Sequence, residues 1–149
     1  MQYKLKDFVV PKDSSYHYFT ISYDLRKDYM KTAVTPDIIR KILATLLVRH
    51  NCPEIRCFVA TTVHFSSIQS PEFWYEEIKK CLGKFICFIL EEIKINGNNE
   101  PSLSVHYSDN YISNYHPKLD EDYDTIVVDL RECSADELLK ALAVFLMTN

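Results

Sequence analysis

The sequence predicts an α+β protein in which helices cover one face of a sheet. Three observations carry that prediction. Two segments open with a hydroxyl residue followed by proline, Thr35-Pro36 and Ser70-Pro71, and each continues into apolar residues at helical spacing. Segments that alternate between polar and apolar residues surround them, at 16–25, 56–66 and 85–95. Periods of 3.6 and 2 thus follow one another along the chain, with short connections between them.

Residues 1–15 read as a polar lead-in, broken by Pro11 and the Asp13-Ser14-Ser15 cluster. From 16 to 25, Phe19, Ile21 and Tyr23 share one face while Tyr18, Thr20, Ser22 and Asp24 share the other, the pattern of a half-buried strand. After a charged loop, Thr35 predicts an N-cap, Pro36 a first helical residue and Asp37 a favourable charge at the positive end of the helix dipole. Ile38, Ile39, Ile42, Leu43, Leu46 and Leu47 form its apolar stripe, and Asn51-Cys52-Pro53 ends it. Residues 56–66 predict a second strand with Cys57, Val59, Thr61, Val63 and Phe65 on one face. Ser70-Pro71-Glu72 repeats the helix-start chemistry, and Gly83 is expected as the C′ residue of that helix.

Residues 85–95 predict a third strand, and 101–107 a fourth that returns beside it in a hairpin around Asn96-Gly97. Residues 109–124 are polar and Tyr-rich, and 125–130 predict a fifth strand. Ser134 and Glu137 form a capping box that opens a terminal helix, with Leu138, Leu139, Leu142, Phe145 and Leu146 inward. The order is β-α-β-α-β-β-β-α. It predicts one domain over 1–149, with a ferredoxin-like core at 16–95 and an acidic, Tyr-rich extension at 96–149. A doubly wound parallel sheet is the alternative, because strand order does not follow from one sequence.

Composition removes whole classes of function. With only two glycines, Gly83 and Gly97, the chain has neither a dinucleotide fingerprint nor a P-loop. Its five cysteines are odd in number and without CxxC spacing, which argues against a disulfide framework or a zinc ribbon. No apolar run approaches the roughly 20 residues that span a bilayer, and the chain opens without a signal-peptide pattern. The expectation is a reduced, cytoplasmic protein that does not enter a membrane. Net charge is −4, unevenly spread: 10 Lys/Arg against 6 Asp/Glu over residues 1–60, but 3 against 9 over 101–149. Any nucleic acid is therefore expected at the basic N-terminal part.

Residues 18–95 carry a more specific pattern. Phe19-Thr20-Ile21-Ser22-Tyr23-Asp24-Leu25 leads through Arg26-Lys27-Asp28-Tyr29 into an amphipathic helix; Thr61-Thr62-Val63-His64-Phe65 precedes a Ser-Pro-Glu-opened helix and a hydrophobic strand. This resembles a group of small ferredoxin-fold proteins that includes the nuclease-like subunit of CRISPR spacer acquisition, virulence-associated protein D and SinR-like proteins. The resemblance implies a homodimer in which Asp24 is the metal-binding carboxylate, shared with its symmetry mate around a Mg²⁺. It implies phosphodiester hydrolysis, since one carboxylate from each subunit leaves water on the metal. The extension at 101–149 departs from the group and is placed to cover the edge it uses to dimerise.

Two other readings compete. Val63-His64-Phe65-Ser66 and Val105-His106-Tyr107-Ser108 resemble the paired motifs of two-histidine phosphoesterases, with His64 and His106 as general base and acid and Ser66 and Ser108 on phosphate oxygens. A polar residue follows each Ser where that group has an apolar one, and the predicted hairpin keeps the two imidazoles apart. The last reading is non-catalytic: a protein partner held by the acidic, Tyr-rich segment 107–123, because Tyr buries area at low entropic cost. Glu91-Glu92, on opposite strand faces, makes no acid/base pair. His50, Cys52 and Cys57 lack a fourth zinc ligand, and the acids at 120–124 lack the glycine of a calcium loop.

Overall fold

Helix starts in this chain follow from local hydrogen bonding. In the computed structural model, which describes residues 2–8, 15–27, 33–93, 103–108 and 119–149, α1 (Pro36–Arg49) begins where the Thr35 hydroxyl accepts the Ile38 amide at 3.3 Å. Ser70 does the same for α2 (Pro71–Leu82), accepting from Phe73 N–H at 3.1 Å. Both helices have proline in the first turn, where its missing N–H has no partner to lose. Asn51 closes α1 with φ 59°, a left-handed conformation that asparagine tolerates. Gly83 is different from its expected role. It keeps right-handed φ/ψ, and what glycine supplies there is room, because a Cβ would lie 2.5 Å from the Lys79 carbonyl oxygen.

Four strands, β2 (His17–Leu25), β3 (Ile55–Val59), β4 (Thr62–Ser67) and β5 (Ile86–Ile93), form one sheet in the order β3-β4-β2-β5. Every neighbouring pair in it is antiparallel, which overturns the doubly wound parallel alternative. The β-α-β-α-β core is corrected as well: the expected strand at 56–66 is two strands, so 17–93 runs β-α-β-β-α-β. The turn at Ala60-Thr61 has no positive φ and no Asn-Gly or Asp-Gly signal, and its ladder carries a register shift between Arg56 and Val59. Nothing in its composition announces it.

The termini bring further corrections. Residues 2–8, expected as a lead-in, are β1 (Gln2–Phe8), and β6 (Leu103–Ser108) pairs with β1 rather than returning beside β5. Tyr3 and Leu5 alternate with Lys4 and Lys6, so the period was present; the partner lies about a hundred residues away in sequence. The expected fifth strand at 125–130 lies inside α3 (Leu119–Arg131), and the terminal helix is α4 (Ala135–Thr148). The β-branched run from Thr125 to Val128 loses to a helical stripe that begins earlier: Tyr123 and Val127 are buried, with Leu119, Ile126 and Leu130 packed beside them. Three acids in the first turn favour that helix start.

One core joins these pieces. Phe19, Ile21 and Tyr23 of β2, Val63 and Phe65 of β4, and the buried faces of α1, α2, α3 and α4 belong to a single cluster. Phe65 stacks on Phe19 and meets Trp74 of α2 edge-on, each at 5.1 Å between ring centroids. The helices therefore share one face of the sheet. No helix among the described residues is long and apolar enough to cross a membrane.

Candidate functional site

Alternation along β2 sends Tyr18, Thr20, Ser22 and Asp24 to the face away from the helices. Their cross-strand partners are Ser66, His64 and Thr62 on β4, and Ile93, Glu91, Ile89 and Cys87 on β5. This face changes character along its length. At one end Tyr18 and Ser66 are fully buried; at the other Asp24, Cys87 and Ile89 are exposed. Asp24 stands at that open end in a depression of about 280 Å³, lined also by Ser22, Tyr23, Thr61, Cys87, Phe88 and Ile89. Its carboxylate has no hydrogen bond or ion pair to any described residue. Arg26 and Lys27, both exposed, follow two and three residues later.

A divalent cation of the magnesium kind takes hard oxygen ligands. The depression offers one carboxylate and the hydroxyls of Ser22 and Thr61, the buried Tyr23 hydroxyl being bonded to the Ala60 carbonyl. No group of three His, Cys, Asp or Glu side chains able to hold a metal occurs among the described residues. Asp24 by itself thus supplies one hard oxygen ligand group of the kind such an ion takes.

His64 lies further along the same face and is chemically quieter. Its Nδ1 is 3.0 Å from the Thr20 hydroxyl, its direct cross-strand partner. Burial lowers its pKa to about 4, against the raising influence of Asp120. It is therefore neutral at physiological pH, and a weak base for abstracting a proton. Ser66 is spent on structure: its hydroxyl accepts the Glu54 amide at 3.2 Å. Backbone register places His106 opposite Lys4 and Ser108 opposite Gln2, on the separate two-stranded ladder; their side chains lie outside the described residues.

Beside His64 the structure builds a cluster that sequence reasoning missed. Asp120, in the first turn of α3, takes both its oxygens to the Arg56 guanidinium and accepts the Cys57 amide at 3.1 Å. Arg56 and Asp120 are both largely buried. The partners are 64 residues apart, so nothing local connects them. Of the segment 107–123, residues 107–118 fall outside the described side chains, Asp120 is taken by Arg56, and Tyr123 is buried with its hydroxyl donating to the Arg40 carbonyl at 3.2 Å. Glu92 reaches His17 Nδ1 at 2.7 Å while Glu91 points to the other face, as the strand alternation required. Burial pushes the Cys52 and Cys57 thiols up to about 12, which removes them as thiolate ligands or nucleophiles.

No protein-family model, curated protein or solved structure matches the chain. The chemistry of the site is carried by these residues alone.

Proposed function

We propose that this chain is a small nucleic-acid-associated protein with a ferredoxin-like core, acting as a nuclease-like dimer in which two copies of Asp24 share a Mg²⁺. The fold part is supported by the β-α-β-β-α-β order and the antiparallel sheet with the first and third of its strands at the centre. The observation that carries the function is Asp24: an exposed carboxylate with no partner among the described residues, at the end of a central strand, with exposed Arg26 and Lys27 two and three residues further along the chain. A carboxylate serving only as a turn former would be expected to bond its own backbone.

Within this reading the second copy stacks over the open end of the sheet face, where Ile89 is 63% exposed. Asp24 from each copy would hold the metal, which supplies an activated water when bound. Lys27, and the guanidinium nitrogens of Arg26 left over from its Nε bond to the Gly83 carbonyl at 2.8 Å, would hold phosphate oxygens in place. The two-histidine chemistry gains no comparable support, because His64 is neutral and bonded to Thr20, and the Ser66 hydroxyl accepts the Glu54 amide.

The test is hydrolysis of single-stranded RNA and duplex DNA by the full chain, with Mg²⁺ and with chelator, alongside its mass in solution. Cleavage should require Mg²⁺ and a dimer, and Asp24→Asn should abolish it without changing the fold. Cleavage that survives Asp24→Asn, or a wild type that neither cleaves nor binds nucleic acid, overturns the reading.

A further inference from the structure

We propose that the outer edge of β5, with the groove between it and α2, captures an extended segment of another protein whose cationic side chains alternate with apolar ones. β5 bonds β2 on one side and no described strand on the other. The direction of its free groups follows from the ladder. The Tyr23 amide bonds the Thr61 carbonyl toward β4, and the Arg26 amide bonds the Phe85 carbonyl toward β5. In an antiparallel pair such bonds recur at every second residue. Residues Phe85, Cys87, Ile89 and Glu91 therefore face β2, and the backbone N–H and C=O of Phe88 and Leu90 face outward, open to a further strand.

The two sides of that edge specify alternate residues of the incoming segment. On the helix side lies a groove of about 410 Å³ lined by Pro71, Glu72, Tyr75, Glu76, Phe88 and Leu90. Tyr75 is 48% exposed, and its ring meets Phe88 at 5.7 Å. Glu72 and Glu76, one helical turn apart, place two exposed carboxylates over this apolar floor. A lysine or arginine fits both features, its methylene stem on Phe88 and Leu90 and its charge at the carboxylates. Lys79, 5.7 Å from the Tyr75 ring, marks the far end of the acidic stretch. On the opposite side of the edge stands Ile89, which a neighbouring apolar side chain would cover. A second copy is the poorer occupant, because pairing β5 with β5 brings the same Glu72, Glu76 and Glu91 of both chains together. The edge and groove share Phe88 and Ile89 with the Asp24 depression but not Asp24 itself, so peptide binding is tested separately from cleavage.

The probes are two end-capped hexapeptides, Lys-Val repeated three times and Glu-Val repeated three times, with the full chain. The Lys-Val peptide should bind and slow amide exchange at Phe88 and Leu90 at least tenfold, with little change at Cys87 and Ile89, which are already bonded. The double substitution Glu72→Lys/Glu76→Lys, at two exposed helix positions, should weaken binding at least tenfold. A Lys-Val peptide N-methylated on alternate residues keeps its charge but cannot pair as a strand, and it should not bind wild type. Four results overturn the proposal: no protection at Phe88 and Leu90, equal binding of the Glu-Val peptide, equal binding of the N-methylated peptide, or protection of those amides that grows with protein concentration alone.

Discussion

The two edges of the four-stranded sheet are finished in opposite ways. At β3 the edge is closed by α3: Asp120 accepts the outward Cys57 amide and grips Arg56, and Arg131 at the other end of the helix donates to the Cys52 and Pro53 carbonyls at 2.9 and 3.1 Å. At β5 no described strand pairs with the outer edge, which lies beside an apolar groove with carboxylates at its rim. An uncovered edge is a template for pairing with another chain, and proteins commonly cover or charge it. Here one edge is covered from within. The other carries exposed carboxylates on both flanks, Glu72 and Glu76 at the groove and Glu91 on the opposite face, which favours partners of opposite sign.

The largest effect should come from reopening the closed edge. Asp120→Asn removes the charge opposite a largely buried guanidinium, a class of change that costs about 3 kcal/mol. Chemical denaturation should show that loss, and exchange at the Cys57 amide should accelerate with it. A smaller loss should follow a fall in pH, because His64 sits beside this edge. Its folded pKa is about 4 and the unfolded value about 6.5, so the unfolded chain binds the extra proton in between. Stability should hold above pH 6.5 and decline as pH falls toward 4, by roughly 2 kcal/mol once partial exposure is discounted. His64→Gln should flatten that part of the profile. If it does not, the acid sensitivity lies elsewhere.

Arg131→Met keeps the stem but removes the donors to Cys52 and Pro53, and should cost about 1 kcal/mol in the same denaturation experiment. The smallest effect should be at the open side. Glu72→Lys/Glu76→Lys touches exposed groups and should move stability by at most about 0.5 kcal/mol, although it should strongly weaken the Lys-Val peptide. Amide exchange compares the two edges directly: in the free protein Phe88 and Leu90 should exchange faster than Cys57. Equal protection at all three would remove the asymmetry.

The candidate site was legible in the sequence only where a local pattern placed it. Asp24 follows from the alternation of β2, which sends it to the side opposite Phe19, Ile21 and Tyr23 wherever the strand sits. The fate of His64 does not follow. Its neutrality depends on burial, and its hydrogen bond on Thr20, a partner 44 residues away. The pairing of Arg56 with Asp120 was out of reach for the same reason.

Sequence alone determined the starts of α1, α2 and α4, because capping hydroxyls and first-turn prolines act within four residues of each other; Ser134 and Glu137 bond as their spacing requires, at 3.1 Å from the Glu137 amide. It also determined which residues of β2 face the core. Tertiary structure decided what pairs with what. It gave β1 its partner in β6, split 55–67 into a hairpin without a turn signal, and made a helix of 119–131, where one β-branched run supported either outcome locally. Strand pairing and helix packing are interactions between distant segments, and their free energy is absent from any short window of the chain.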